Sequence, residues 1–288
     1  MGIVQKLRRS VKSLLPARLR EILDTVGAYK KAFGCYPNIF FPKTFNEKIQ
    51  WRKIFERDAR LPKLADKVLV KEFVREKIGS EYLIPTLWHG TSLPPREDRN
   101  WPIPFVIKAN HGSGWNIFVR NESERNWDAI EKTMDTWLGQ VHAPHLGEWL
   151  YSEIIPQILV EPFIGDMARL PIDYKLWTFG GKVHYIEVIT DRGIAAKQVF
   201  YDLNWKRLSF INCYVIETQE ILKPSSLNTM IAAAEKLAEG ISMVRVDFYE
   251  INSRPIFGEM TFYPASGYDA FDPPELDRII GDLWKLGS

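Results

Sequence analysis

Cysteine, sustained apolar runs and any excess of charge are what this chain lacks, and each absence removes a class of protein. Its 288 residues include two cysteines, Cys35 and Cys213. They lie far apart and outside any Cys-x-x-Cys pair, which excludes a disulfide framework or a zinc ribbon and fits a reducing cytosol. No run approaches the ~18 apolar residues of a membrane span. In the opening MGIVQKLRRSVKSLLPARLR no continuous apolar stretch follows the basic residues, so a cleaved secretory signal is not expected. The 38 basic and 36 acidic side chains leave a formal net charge of +2. That balance is too even for bulk attraction to nucleic acid, and no nucleic-acid partner is expected. Also missing are a GxxxxGK[ST] phosphate loop, a GxGxxG dinucleotide fingerprint and a GxSxG nucleophile elbow. His142 and His145 stand three apart without acids at metal spacing and read as surface or packing residues.

What is present is ordinary globular material, 45% hydrophobic and 13% aromatic, enough for one large core or two to three lobes. Residues 3 to 23 place Ile3, Leu7, Val11, Leu14, Leu15, Leu19, Ile22 and Leu23 at helical spacing, interrupted by Pro16, with a polar face of Lys6, Arg8, Arg9, Lys12, Arg18 and Arg20. Such a helix either lies on an anionic membrane surface or packs its apolar side on the protein. A second helical region runs from 44 to 79, where Thr44 followed by Glu47 is a capping box and Gly79 a stop. Residues 85 to 104, rich in proline and charge, read as a loop. Asn126 caps a helix through Trp137, and the apolar run ending in Glu161 reads as a strand. Residues 173 to 189 form a hairpin turned at Gly180 and Gly181. A helix over 226 to 239 buries Leu227, Met230, Ile231, Ala234, Leu237 and Ala238.

The stretch FVIKANHGSGWNIFV, 105 to 119, carries the first chemistry. Two apolar runs flank a turn holding Gly112, Ser113 and Gly114, and the first run ends in Lys108. Small residues let backbone N–H groups approach a polyphosphate closely, and the lysine adds a mobile charge beside them. The plainer alternative is a turn whose glycines serve geometry and whose lysine faces water.

The last hairpin, MVRVDFYEINSRPIFGEMTF, carries the second. Alternation sends Val244, Val246, Phe248, Ile256, Gly258 and Met260 to one face, and Arg245, Asp247, Tyr249, Phe257, Glu259 and Thr261 to the other. With Asn252, Ser253 and Arg254 as the loop, Asp247 faces Glu259 at about 5 Å. A two-residue turn would put the acids on opposite faces. Facing carboxylates are tolerated when a divalent cation lies between them or one stays protonated, and Mg²⁺ shared with phosphate oxygens is the common solution. Arg245, on the same face, either stabilises a developing oxyanion or neutralises the acids.

Lys108 with the HGSG turn, the LVEPFIG segment, the DYK strand and the RVD and FGE pair, in this order, resemble the ATP-grasp superfamily, an α+β fold in which two lobes grip a nucleotide. FNEKIQW, ADKVLVKEFV, KANHGSGWN, DYKLWTF, VRVDFY and GEMTFYPASG are similar, more narrowly, to its TupA-like branch, associated with teichuronopeptide and cell-surface polysaccharide synthesis. The likeness spans roughly residues 40 to 285. It implies ATP and Mg²⁺ as cofactors, with Lys67 and Lys108 on phosphates and Lys175 approaching the terminal ones. Glu161 would lie at the adenine hinge with backbone groups of Phe163, and His111, Gly112, Ser113 and Gly114 would cover the nucleotide. Asp247 and Glu259 would bind Mg²⁺. Thr261 stands where many ATP-grasp enzymes place an asparagine as a further metal ligand.

The resemblance thus implies a carboxylate–amine ligase joining an amino acid to a uronic-acid glycan or nucleotide-sugar substrate; the cysteine usage places it in the cytoplasm, and the basic N-terminal stretch allows contact with the inner-membrane surface. Expected units are a basic helical region (1–43), a helical and linker part (44–104), a small lobe with the glycine hairpin (105–165) and a large lobe with the metal site (166–288). Two rivals stand beside this reading. A glycosyltransferase is disfavoured by the absence of any Asp-x-Asp, and a non-catalytic nucleotide-binding protein by the presence of both acids and Lys108.

Overall fold

A computed structural model describes residues 15–166, 169–210, 212 and 214–287. Residues 1–14, most of the amphipathic stretch expected over 3 to 23, lie outside the described residues. Helix α1, Ala17–Phe33, ends at Gly34 in the left-handed conformation (φ 76°) with the Gly34 N–H donating to Lys30 O. Thr25 and Tyr29 are its buried positions, while Leu19 and Leu23 stay 41% and 45% exposed. Helix α2, Phe45–Phe55, starts at the expected capping box: Thr44 Oγ1 accepts from Glu47 N, and the Glu47 carboxylate accepts from Thr44 N. Helices α3 (Arg60–Ala65) and α4 (Val70–Ile78) come next, the latter stopping at Gly79 as its sequence predicts.

The first sheet is antiparallel and four-stranded, ordered β1–β4–β2–β3, from β1 (Trp88–Gly90), β2 (Phe105–Ala109), β3 (Asn116–Val119) and β4 (Ile158–Pro162). β1 corrects the loop expected over 85 to 104: three of those residues add an edge strand, with Trp88 packed on Trp101 at 5.8 Å. Helix α5, Trp127–Leu138, capped by the Asn126 side chain, buries Ile130, Met134 and Trp137 with this sheet.

The second sheet comprises β5 (Asp173–Phe179), β6 (Lys182–Thr190), β7 (Lys197–Tyr201), β8 (Arg207–Leu208), β9 (Val215–Ile216), β10 (Met243–Ile251) and β11 (Arg254–Thr261). Its order is β11–β10–β5–β6–β7–β8, with β9 parallel to β7. Helix α6 (Leu227–Leu237) supplies Leu227, Met230, Ala234 and Leu237 to its core, with Ile231 only partly buried. Phe45 of α2 lies against Trp177, Phe179, Phe271 and Trp284, so α2 and helix α7 (Glu275–Leu283) belong to the larger core. The class is α+β, as expected.

The β10–β11 hairpin departs from its expected register and then returns to it. The turn has two residues, Asn252 (φ 51°) and Ser253 (φ 61°), with Ile251 paired to Arg254. Positive φ at both central residues gives the turn whose twist matches the strands. A β-bulge then inserts Gly258: Phe248 pairs with Phe257, but Asp247 pairs with Glu259. The extra residue restores the facing acids that a two-residue turn alone would have separated. It also moves Phe257 off the polar face; the ring is buried against Phe248 at 6.1 Å.

Candidate active site

The two sheets face each other across a cavity of about 280 Å³, lined by β2, β3 and β4 from one and β5, β10 and β11 from the other. One part is apolar, formed by Leu83, Ile84, Val106, Phe118, Leu159 and Phe163. The rest is charged.

On the first sheet, pairing of Val106 with Glu161 and of Lys108 with Leu159 turns all four side chains to the cavity. Lys108 Nζ donates to Glu161 Oε2 at 2.6 Å, and Lys71, on α4, pairs with Oε1 of the same carboxylate. Burial pushes the Glu161 carboxyl up, but Lys108 and Lys71 outweigh it and hold it below the ordinary value. Burial depresses Lys71 more than Glu161 raises it. Glu161 therefore holds two cations at the cavity wall. The sequence reading missed Lys71, although it stands four residues after Lys67 in the quoted ADKVLVKEFV.

On the second sheet Arg245 grips Asp247 with two hydrogen bonds, Nε to Oδ1 at 2.8 Å and Nη2 to Oδ2 at 2.7 Å. Lys175 Nζ donates to Asp247 Oδ2 at 2.6 Å and lies 3.4 Å from Asp173, which Arg192 meets at 2.6 Å. Glu259, opposite Asp247, lies 3.7 Å from Lys67 Nζ and 3.9 Å from Arg245 Nη2. Burial raises the Glu259 carboxyl, but Lys67, Lys175, Arg245 and Arg192 overcome this and hold it at about 2. The facing acids thus need neither a proton nor a metal to coexist; cations beside them offset the repulsion. Asp173 and Arg192 were also missed. Asp173 opens the quoted DYK strand, whereas nothing local marks Arg192, which a loop delivers.

Of the residues singled out from the sequence, Lys67, Lys108, Ser113, Gly114, Glu161, Phe163, Asp247 and Glu259 line this one cavity. The Phe163 N–H is already bonded to Pro104 O at 3.0 Å. The other five are not among its lining residues. His111 is buried, with Nδ1 on Asn110 Oδ1 at 3.0 Å and Nε2 near Trp137 O and Gln140 O, so it shapes the turn and does not reach the cavity. Gly112 accepts from Lys67 Nζ through its carbonyl at 2.6 Å; a Cβ there would come 2.9 Å from His142 Nδ1. Lys175 is buried beneath Asp247, and Arg245 is committed to the same carboxylate. Thr261 Oγ1 accepts from Arg245 Nη2 at 3.2 Å and donates to Glu259 Oε1 at 3.4 Å, so it links these two groups.

Among the described residues no three His, Cys, Asp or Glu side chains cluster to hold a metal. Mg²⁺, however, is commonly held by one or two carboxylates plus substrate phosphates. Asp247 and Glu259 fit that donor set, with Glu259 the less encumbered. Among the described residues around the cavity, three carboxylates on the second sheet's side meet four cations, and Glu161 meets two. Lys67, Lys71, Lys108 and Arg192 line the cavity against Glu161, Asp173, Asp247 and Glu259, beside an apolar wall, and Lys175 and Arg245 add positive charge from behind.

The family model described as TupA-like ATP-grasp matches residues 47–285. The chain belongs to the TupA-like ATP-grasp family. No curated protein sequence matches this member significantly. Among solved structures it is similar to the D-alanine–D-alanine ligase of Bacillus anthracis, at 19% identity over 76% of this chain and 66% of that one, TM-score 0.43. It is also similar to the N5-carboxyaminoimidazole ribonucleotide synthetase of Thermus thermophilus, at 12% identity over 82% and 51%, TM-score 0.36. A third is the ATP-grasp ligase PsnB, in complex with a precursor variant, Mg and ADP, at 11% identity over 82% and 64%, TM-score 0.43. The TupA-like chain thus spans less than two thirds of the length of each of these proteins.

Proposed function

We propose that this protein is a Mg·ATP-dependent carboxylate–amine ligase acting on a uronic-acid-containing surface glycan or its nucleotide-sugar precursor, with an amino acid as the other substrate. The observation that carries the reading is the cavity itself. An apolar wall suited to a purine adjoins Lys67, Lys71 and Lys108, and beyond them stand two facing carboxylates. Membership of the TupA-like ATP-grasp family supports the same assignment.

In this reading the substrate carboxylate attacks the γ-phosphorus, ADP departs, and an acyl phosphate forms. The amine then attacks the acyl carbon, phosphate leaves, and the nitrogen gives up its proton. Asp247 and Glu259 would hold Mg²⁺, which would neutralise charge on the phosphoryl group. Lys108 and Lys67 offset phosphate charge from the other side, and the glycine turn excludes water from the acyl phosphate. Arg245 and Lys175 fix the Asp247 carboxylate through their hydrogen bonds, and so act as positioning residues.

Hydroxylamine tests the reading directly. With ATP, Mg²⁺ and a panel of uronic and amino-acid carboxylates, a hydroxamate should form with ADP and phosphate in equal amounts. Turnover of a nucleotide sugar without ATP, surviving Glu259→Gln, would overturn the ligase in favour of a transferase.

A further inference from the structure

Helix α1 and the loop after it present an apolar surface that stays largely exposed among the described residues, with Phe40 touching Phe55 at 6.2 Å between ring centroids. Along α1, Leu19, Leu23, Gly27 and Lys30 recur at helical spacing on the side opposite buried Thr25 and Tyr29. Beyond Gly34 the loop carries Tyr36, Phe40 and Phe41, which are 65%, 73% and 78% exposed.

These rings are held outward by construction. Pro37 is buried at the base of the loop. The Glu47 carboxylate that completes the α2 capping box also accepts from Asn38 N at 3.0 Å and Lys43 N at 2.9 Å. Asn38 Oδ1 in turn accepts from Phe41 N at 3.0 Å. Two adjacent phenylalanines on a braced loop are costly to leave in water, and even with Phe40 beside Phe55 both rings stay mostly exposed.

Charge identifies the occupant. Within residues 17–43 five cations, Arg18, Arg20, Lys30, Lys31 and Lys43, stand against two acids, Glu21 and Asp24. Glu21 is drawn to Arg18 and Arg57, and Lys30 lies over the Tyr36 ring at 4.1 Å. The sequence ahead adds Lys6, Arg8, Arg9 and Lys12 and no acid. Exposed aromatic rings among lysines match a lipid headgroup layer, where the rings enter the acyl boundary and the cations meet anionic lipid.

We infer that the surface formed by Leu19, Leu23, Tyr36, Phe40 and Phe41, with Lys30, Lys31 and Lys43 around it, docks the protein on an anionic membrane. This inference is independent of the ligase reading. Full-length protein is sedimented with vesicles of phosphatidylcholine alone and of phosphatidylcholine with a third phosphatidylglycerol. Binding is expected to the anionic vesicles only. It should fall roughly tenfold or more in Phe40→Ser/Phe41→Ser, and about fivefold for each charge lost in Lys30→Gln/Lys31→Gln. Thermal unfolding and circular dichroism check that the variants fold. Phe41→Trp, quenched by brominated acyl chains above the wild-type background, gives a second readout. Wild-type protein left in the supernatant, equal binding to both vesicles, or unchanged binding of the double serine variant would overturn the proposal. So would a lipid-free dimer dispersed by the serine substitutions, which would assign the surface to a second copy.

Discussion

Asp247 and Glu259 face each other across one strand pair, yet replacing them should have unequal consequences for the fold. The Asp247 side chain is 3% exposed and receives Arg245 twice and Lys175 once. Asp247→Asn leaves two buried cations facing a neutral amide. Removing one partner of a buried ion pair typically costs about 3–5 kcal/mol. The low end applies, because Lys175 keeps Asp173 at 3.4 Å. At about 2–4 °C per kcal/mol, Tm should drop by roughly 6 °C or more.

The Glu259 side chain is 32% exposed, with its cations at 3.7 and 3.9 Å. Solvent at this side chain screens the long ion pairs that lower its carboxyl, so the group contributes only about 1 kcal/mol to stability. Glu259→Gln should therefore melt within about 2–4 °C of wild type. Its loss belongs to chemistry: several kcal/mol of Mg²⁺-assisted charge stabilisation, about a hundredfold or more in kcat/KM. Thermal unfolding and ADP release from the same preparations separate the two effects. Wild-type turnover in Glu259→Gln, or a wild-type Tm in Asp247→Asn, would refute this division of roles.

Lys108→Met should weaken binding of an ATP analogue about tenfold by calorimetry, while Tm moves little because Lys71 still pairs Glu161. Gly112→Ala should destabilise the turn by about 1–3 kcal/mol, since its Cβ would stand 2.9 Å from His142 Nδ1 and 3.0 Å from Trp115. Gly114→Ala, in open space at φ 75°, should cost only about 1 kcal/mol of backbone strain; chemical denaturation ranks the two. Acid unfolding tests Glu161, whose lowered folded pKa makes its contribution complete above the unfolded value near 4.3 and lost as pH falls through the folded one. Wild-type protein should therefore lose stability more steeply below about pH 4 than Glu161→Gln.

Local chemistry was readable in the chain wherever the determinant lay within a few residues. The capping box at Thr44, the Asn126 cap, the stop at Gly79 and the Gly180–Gly181 turn each depend on one or two side chains or on φ at a glycine. Facing of Asp247 and Glu259 was anticipated through a three-residue loop, but it arises from a two-residue turn plus the bulge at Gly258. Alternation alone cannot reveal a bulge, because the glycine reads as one more strand position. His111 illustrates the converse. Beside a glycine turn it looks like a phosphate ligand, and only the structure shows Nδ1 engaged by Asn110 Oδ1 and Nε2 by the carbonyls at the end of α5 and just beyond it.

By itself the sequence determined the α+β class, the elements that carry the chemistry, and most of the charged residues that now surround one cavity. It could do so because period-two and helical patterns record which face of an element is buried. Tertiary structure alone decided which charges meet. Lys71 comes to Glu161 across 90 positions of chain and Lys175 to Asp247 across 72, contacts between elements that no local pattern encodes. It also decided which residues reach the cavity and which brace it from behind. A side chain's partners depend on how two sheets and a helix dock, and docking is set by the whole core.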